Sequence, residues 1–345
     1  MLPIHIQQCF EHQALACELL GSPFTSRVCA LLGSRLTPAS RFGVRIAGWS
    51  ASAKSDVLAL RATGALNALA RAGECTSLTA VYPPHVADDD ALWSGIVAAI
   101  AAHDGFLHDY LDSPPQTNEV SRSGSILGGV LHVAAATGLP IDLYEIGSSA
   151  GLNLSFDRYD YDLGIVRWGN DAEGVRIVQD WQGPLPPLDA PLVIRHRRGC
   201  DQNPLDASQD ATRTRLMSYV WPDQSARIAR LEAAIASTAR SGVSVEKADA
   251  ADWVEQNFVA PEEGVVKLLF HSIVWGYMPD AVQQRIETAM KKIARLATPA
   301  APVAWLRIEP DGNNPYAAVT LTIHPSGETS VIGHADFHGR FTHWL

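Results

Sequence analysis

The feature that most constrains the fold is a short apolar run that ends in a glycine-rich segment. Residues 141–146 read as a strand, and Gly147-Ser148-Ser149-Ala150-Gly151 follows directly, with a helix expected to start near Ala150. Small residues let a backbone approach a ligand closely, and a helix start offers free N–H groups and a positive dipole end. Because ligands bind at the carboxyl ends of parallel strands, this junction predicts a ligand-binding loop.

Helical and strand patterns divide the 345-residue chain near residue 137. Apolar residues recur at helical spacing before that point, whereas strand-like and helical segments alternate after it. The alternation predicts an α/β domain over residues 138–345, with a mainly parallel sheet covered on both faces. The last two predicted strands are joined by Pro325-Ser326-Gly327, a hairpin signal, and an inserted hairpin and loop is expected at about 159–190. Residues 1–137 are expected to form a helical N-terminal region.

Composition and charge argue against several functions. The formal net charge is −10, so the chain repels phosphate backbones and nucleic acid is not an expected partner. The five cysteines are odd in number and form no CxxC pair, which favours a reducing compartment over a disulfide framework. Neither a signal-peptide pattern nor an uninterrupted apolar span is visible. We therefore expect a cytoplasmic protein without a membrane partner, and its oligomeric state stays open.

The glycine-rich segment resembles the first motif of class I S-adenosylmethionine-dependent methyltransferases, an acid followed by three alternating glycines. Here the spacing is Glu145-x-Gly147-x-Ser149-x-Gly151, so that Ser149 stands in place of the middle glycine. The resemblance implies S-adenosylmethionine as the cofactor. The residues that it places at the cofactor are Glu145, Gly147, Ser148, Ser149, Gly151 and, on the following turn, Asn153.

Two later segments resemble the acids that hold the nucleoside in the same superfamily. Asp201 follows the second predicted strand and is the candidate for the ribose hydroxyls, although an Asx-turn before Pro204 explains it equally well. Asp249-Ala250 follows the third strand and resembles the Asp-Ala pair that contacts adenine. The alternative is that Asp249 or Asp252 caps the next helix, and both roles are compatible if Asp252 is the cap and Asp249 binds the ligand.

The fourth predicted strand ends where methyltransferases face the methyl group and its acceptor. His271 is the candidate general base for a hydroxyl acceptor, or else a hydrogen-bonded structural histidine. Trp275 and Tyr277 shape an acceptor pocket or belong to the core. Arg307 and Glu309 end the fifth strand and either pair with each other or face the ligand edge.

A polar segment precedes the helix that leads into the first strand of the sheet. The order of elements lets residues 116–123 fold over the ligand loop, and the alternative is a simple capped loop. The expected contributions to the substrate pocket from this segment come from Asn118, Glu119 and Arg122.

Two other readings of the loop remain open. Gly147-x-Ser149-x-Gly151 is also a G-x-S-x-G sequence, which in α/β-hydrolases forms a nucleophile elbow with the serine as nucleophile. A non-catalytic nucleoside-binding protein of the same fold is the other alternative. Four histidines near the end of the chain lack a zinc-ligand motif, so no metal site is expected.

Several segments together resemble an uncharacterised bacterial family, a domain of unknown function grouped with the Rossmann-like methyltransferases. The resemblance implies a Rossmann-like, class I methyltransferase-like fold and no established reaction. It leads us to expect methyl transfer from S-adenosylmethionine to a small-molecule acceptor. The segments that show it are residues 116–119, 145–154, 198–206, 220–224 and 248–253.

Overall fold

The computed structural model describes residues 1–49, 52–112 and 114–345, which form two compact units of a mixed α/β protein. The first unit is Met1–Thr117 with Asp210–Glu232, and the second is Asn118–Gln209 with Ala233–Leu345. This division differs from the boundary expected at residue 137. The helix over residues 123–137 packs on strands of the second unit, whereas the helix over 210–218 packs on a helix of the first.

The helices are longest and most numerous in the first unit. The described ranges contain no helix both long and apolar enough to cross a membrane. In chain order the α-helices are α1 (Ile4–Leu19), α2 (Pro23–Arg35), α3 (Arg41–Ala47), α4 (Leu58–Ala72), α5 (Thr76–Thr79), α6 (Asp89–Tyr110), α7 (Ser123–Thr137), α8 (Asp210–Ser218), α9 (Ser225–Ser241), α10 (Ala250–Asn257) and α11 (Asp280–Ala294).

The first unit is helical, as the sequence predicts, and carboxylates stabilise the starts of α6 and α2. Asp88 caps α6 by accepting a hydrogen bond from Ala91 N at 2.8 Å. Asp223 accepts hydrogen bonds from Phe24 N at 2.9 Å and from Ser22 Oγ at 2.5 Å, at the start of α2. Such caps satisfy amide groups that have no partner within the helix. The segment 210–232 thus contributes directly to the helical unit.

A nine-stranded sheet organises the second unit. Its strands are β1 (Ile141–Ile146), β5 (Asp180–Gln182), β6 (Ile194–Asp201), β7 (Val245–Lys247), β8 (Val266–Ser272), β9 (Val303–Pro310), β10 (Ala317–His324), β11 (Glu328–Ala335) and β12 (Phe341–Trp344). A separate three-stranded sheet contains β2 (Asp160–Asp162), β3 (Arg167–Gly169) and β4 (Arg176–Val178), within the segment expected to be an inserted hairpin.

The order of strands in the large sheet is β5-β12-β11-β10-β9-β8-β1-β6-β7. Five consecutive strands, β7-β6-β1-β8-β9, are parallel to one another. The pairs β9-β10, β10-β11 and β11-β12 are antiparallel, and the edge strand β5 runs parallel to β12. The expectation of a mainly parallel sheet with a C-terminal antiparallel hairpin is therefore confirmed. β1 lies at the centre of the parallel part, and all six of its residues are buried.

Helices pack on both faces of this sheet because successive side chains of a strand point to opposite faces. Leu306 of β9 packs on α7, where a Cβ at Gly129 would lie 2.5 Å from its Cδ1. The neighbouring Trp305 packs instead on the core cluster to which α10 and α11 contribute Trp253 and Ile286. The sheet is therefore a buried layer whose strand ends remain available at its edges.

Candidate functional site

Ionisable side chains lie at the carboxyl ends of all five parallel strands. In the pairing register, Glu145 of β1 lies opposite Gly199 and Phe270. The residues Asp201 and His271 therefore stand at the level just beyond Glu145, on either side of β1. The strand ends carry, in spatial order, Asp249 just after β7, Asp201 on β6, Glu145 on β1, His271 on β8 and Glu309 on β9.

The loop after β1 adopts an unusual backbone conformation. Gly147, Ser149 and Gly151 have φ values of 70°, 54° and 73°, so alternate residues are left-handed. A Cβ at Gly147 would lie 2.5 Å from Val274 Cγ2, and one at Gly151 would lie 3.0 Å from Val245 Cγ2. Both glycines are thus required by backbone conformation and close packing. Ser149 adopts the same left-handed region although it carries a side chain, which is uncommon.

Side chains from distant elements satisfy the amide groups of this loop. Asp201 Oδ2 accepts from Ser149 N at 2.9 Å, and Asn118 Oδ1 accepts from Ala150 N at 3.3 Å and from Leu152 N at 3.0 Å. The α-helix expected from Ala150 is replaced by a 3-10 helix, Leu152–Arg158. The free N–H groups expected of a helix start are therefore already bonded within the protein.

The carboxylate of Asp201 accepts hydrogen bonds both from the loop after β1 and from its own turn. Besides holding Ser149 N, its Oδ1 accepts from Asn203 N at 2.8 Å, which is the Asx-turn considered as the alternative. The loop is further attached through Ser148 N, which donates to Cys200 O at 3.0 Å. β1 and β6 are thus connected beyond their last paired residues.

Glu145 is the most strongly perturbed acid of the site. Burial raises its pKa to about 8, while the Ser148 hydroxyl and the charge of Arg122 oppose this and the charge of Asp201 adds to it. In the described residues, its Oε2 is buried without a hydrogen-bond partner. Buried polar atoms without partners are rare, and they mark sites where a ligand or water binds. Atoms of the same kind at this edge are Ser149 Oγ, Asn153 Oδ1, His271 Nε2 and Glu309 Oε2.

The polar segment before α7 lies over the loop, as the sequence suggests. In addition to the contacts of Asn118, Glu119 O accepts from Asn153 Nδ2 at 3.4 Å. Arg122 Nη1 donates to Ser272 O at 2.7 Å and to Ser272 Oγ at 3.0 Å, at the end of β8. Asn118, Glu119 and Arg122 are all buried. The segment therefore ties the loop after β1 to the end of β8.

His271 is held by a carboxylate from the neighbouring strand. Its Nδ1 lies 2.7 Å from Glu309 Oε1, which also accepts from Val274 N at 3.1 Å. The ring stacks on Trp275 at 5.0 Å with an interplanar angle of 16°. If Nδ1 carries the proton that is shared with the carboxylate, the neutral ring presents Nε2 as a proton acceptor. This arrangement suits either a general base or a structural histidine.

The pairing of His271 with Glu309 was not anticipated from the sequence, which set Glu309 beside Arg307. Residues 271 and 307 are directly opposite in the register of β8 and β9. Glu309 is two residues further along β9, on the same face as Arg307. The sequence signal for this pairing was that the predicted strands bearing His271 and Glu309 both end in polar residues.

Two candidate residues have other roles in the structure. Asp249 is the N-cap of α10, because its Oδ1 accepts from Ala251 N at 3.0 Å and from Asp252 N at 3.2 Å, and Ala250 is the first helical residue. Tyr277 lies in a short 3-10 helix and is 81% exposed. The capping alternative for Asp249 is thus observed, and the exposure of Tyr277 excludes the alternative that it belongs to the core.

Three of the four histidines near the end of the chain lie on the antiparallel strands, and His338 lies in the turn between β11 and β12. His334 and His343 are cross-strand partners on β11 and β12. Over residues 1–49, 52–112 and 114–345, no cluster of three or more His, Cys, Asp or Glu side chains is arranged to hold a metal ion.

Comparison by sequence places the chain in one family. No curated protein and no solved structure matches it. A family model described as an uncharacterized protein conserved in bacteria (DUF2332) matches residues 7–344, which is nearly the whole chain. The chain therefore belongs to this bacterial family.

Proposed function

We propose that the second unit is a Rossmann-like domain that binds S-adenosylmethionine at the carboxyl edge of β6, β1 and β8 and transfers its methyl group to a small molecule. The main support is the strand order. Numbered along the chain, the parallel strands β7-β6-β1-β8-β9 stand in the order third, second, first, fourth and fifth. In sheets of this order the ligand binds where the connections change direction, which here is between β1 and β8.

The polar atoms around the loop fit a nucleoside better than a phosphate. A phosphate-binding loop presents free backbone N–H groups. Here Ser149 N, Ala150 N and Leu152 N are already bonded to Asp201 and Asn118. The buried atoms without partners are instead carboxyl, hydroxyl and amide oxygens, which suit the hydroxyl and amino groups of a sulfonium nucleoside. These hydrogen-bond acceptors favour S-adenosylmethionine over a dinucleotide, which also needs donors for its phosphates.

In this proposal the residues of the site have separate roles in cofactor binding and proton transfer. Glu145 and Asn153 hold polar groups of the cofactor beside the loop, and the Asp201 carboxylate, at the end of β6, accepts from the ribose hydroxyls. When bound, the cofactor supplies an electrophilic methyl group. His271, whose Nδ1 is fixed by Glu309, receives at Nε2 the proton of an acceptor hydroxyl. Methyl transfer otherwise depends on positioning the two reactants in line.

Calorimetry with S-adenosylmethionine and S-adenosylhomocysteine tests the proposal. We expect both to bind, and we expect Asn153→Leu to weaken binding by about tenfold, which corresponds to about 1.4 kcal/mol. Asn170→Leu is the matched control, since Asn170 is exposed and its Oδ1 accepts from Ala172 N within its own loop. Failure of both ligands to bind or to raise the unfolding temperature at about 1 mM would refute cofactor binding. Binding without methyl transfer to any acceptor would favour the non-catalytic nucleoside-binding alternative.

A serine hydrolase is the second candidate, and the backbone of Ser149 is the observation that favours it. A left-handed serine in a tight turn after a strand is the geometry of a nucleophile elbow. Two observations argue against the hydrolase. Ala150 N, which would stabilise an oxyanion, already donates to Asn118, and the buried Ser149 Oγ has no hydrogen-bond partner among the described residues. Labelling of Ser149 by a fluorophosphonate would favour the hydrolase, and absence of labelling would exclude it.

A further inference from the structure

A cavity of ligand size lies in the second unit, between α11 and the face of strands β9 to β11. Its volume is about 540 Å³, within the range of sites that bind small molecules. We call it the α11 groove. It is lined by Glu287, Met290, Lys291, Ala294, Arg295, Trp305, Arg307, Thr322, His324, Gly327 and Thr329.

The α11 groove is positively charged, although the chain as a whole has a formal charge of −10. Lys291, Arg295 and Arg307 face one carboxylate, that of Glu287, which lies 3.4 Å from Lys291 Nζ. A local excess of positive charge in an acidic protein attracts anions to that place and away from the rest of the surface. His324 adds a ring nitrogen to the lining, and burial lowers the pKa of this imidazole.

Arg307 is the central feature of the groove. Its guanidinium carbon lies 4.7 Å from the centroid of the Trp305 ring, so the indole holds the planar group in place. In the described part of the chain, its Nε is buried without a hydrogen-bond partner. Burial also lowers the pKa of this guanidinium, and the charge of Glu287 opposes the shift. A desolvated arginine donor without an acceptor is costly, and an oxyanion is the acceptor that matches its geometry.

The walls of the groove provide both apolar and hydroxyl surface. Trp305 and Met290 supply an apolar base. Thr322 and Thr329, opposite each other on β10 and β11, join their hydroxyls at 2.8 Å. A ligand for this groove therefore combines an anionic group with an apolar or aromatic body.

We propose that the α11 groove binds a small phosphate monoester, with the phosphate on Arg307 and the organic part against Trp305. The four charged residues of the groove carry an excess of two positive charges. The two negative charges of a phosphate monoester balance this excess, whereas the single charge of a carboxylate ligand balances half of it. The size of the groove fits a metabolite, and the acidic surface around it disfavours a nucleic acid. This site does not depend on the identity of the ligand at the loop after β1.

The test uses phenyl phosphate as the probe, with benzoate and phenol as comparison ligands, titrated by calorimetry into the whole protein. We expect phenyl phosphate to bind, benzoate to bind more weakly, and phenol not to bind. Arg307→Gln should weaken the binding of phenyl phosphate by about tenfold or more, because it removes the charged donor that faces the phosphate. Added sodium chloride should weaken binding in the wild type.

Two adjacent lysines of α11 provide a matched pair of variants that leave the core intact. Lys291 lines the groove, whereas Lys292, also exposed, does not. We expect Lys291→Gln to weaken phenyl phosphate measurably and Lys292→Gln to leave it unchanged. Equal effects of the two, no effect of Arg307→Gln, or no binding by the wild type at about 10 mM phenyl phosphate would overturn the proposal. Benzoate binding as tightly as phenyl phosphate would overturn the assignment to a phosphate.

Discussion

The buried carboxyl of Glu145 makes the stability of the second unit depend on pH. The residue is 2% exposed, and burial is the main reason that its pKa rises from 4.5 to about 8. Between these values the unfolded chain releases the proton and the folded protein keeps it. The free energy of unfolding therefore falls as pH rises through this window, and the loss is complete above the folded pKa. At about 1.4 kcal/mol per pKa unit, the full loss is about 5 kcal/mol.

Glu145→Gln isolates this contribution, because the amide has nearly the same shape and does not titrate. Urea unfolding of wild type and variant at about pH 5.5 and pH 7.5 spans two units of the window. The stability of the variant relative to wild type should rise by about 3 kcal/mol between the two conditions. Equal urea dependence of both proteins at each pH would show that the folded states are alike.

Glu263→Gln is the control for this measurement, since Glu263 is an exposed carboxylate in the same unit. Its effect on the free energy of unfolding should stay within about 0.5 kcal/mol at either pH. If the relative stability of Glu145→Gln is the same at both pH values, Glu145 titrates alike in the folded and unfolded protein. The argument from burial would then be wrong.

Two further predictions concern the loop. Asn118→Ala removes the acceptor of two buried amide groups and should lower the free energy of unfolding by about 2–4 kcal/mol. The control Asn170→Ala removes an exposed acceptor and should lower it by less than about 1 kcal/mol. Similar losses from both variants would contradict the role of Asn118. Gly147→Ala forces a Cβ into a left-handed residue, 2.5 Å from Val274 Cγ2, and should lower the unfolding temperature by several degrees. An unchanged unfolding temperature would show that Val274 moves freely and that the left-handed turn tolerates a side chain.

The sequence predicted the positions of the strands and helices of the sheet more accurately than the boundaries of the two units. Periods of two and of about 3.6 residues identify strands and helices because each element buries one face or stripe. The break near residue 137 therefore located the change from helices to strands. It did not reveal that residues 210–232 pack with the helical unit, because that association depends on contacts far apart in the chain.

The candidate site shows the same contrast at the level of single residues. The sequence indicated a tight turn at Gly147 and Gly151, and in the structure both residues have positive φ values. The helix expected at Ala150 is instead a 3-10 helix, and the amide groups near it are bonded to Asn118, 32 and 34 residues away. A local pattern cannot indicate that competing acceptor. The cap formed by Asp249 is local, and the sequence indicated a cap at Asp249 or Asp252 without deciding between them.

The sequence by itself determined that a strand, a left-handed turn and a cluster of polar residues meet at residues 141–151, because backbone conformation and amphipathic period are local properties. Only the tertiary structure decided which side chains complete the site. It brought Glu309 to His271 across 38 residues and placed Arg307 in the lining of the α11 groove. These partners depend on strand order and register, which arise when the sheet buries its apolar faces and the polar strand ends must find acceptors at the edge.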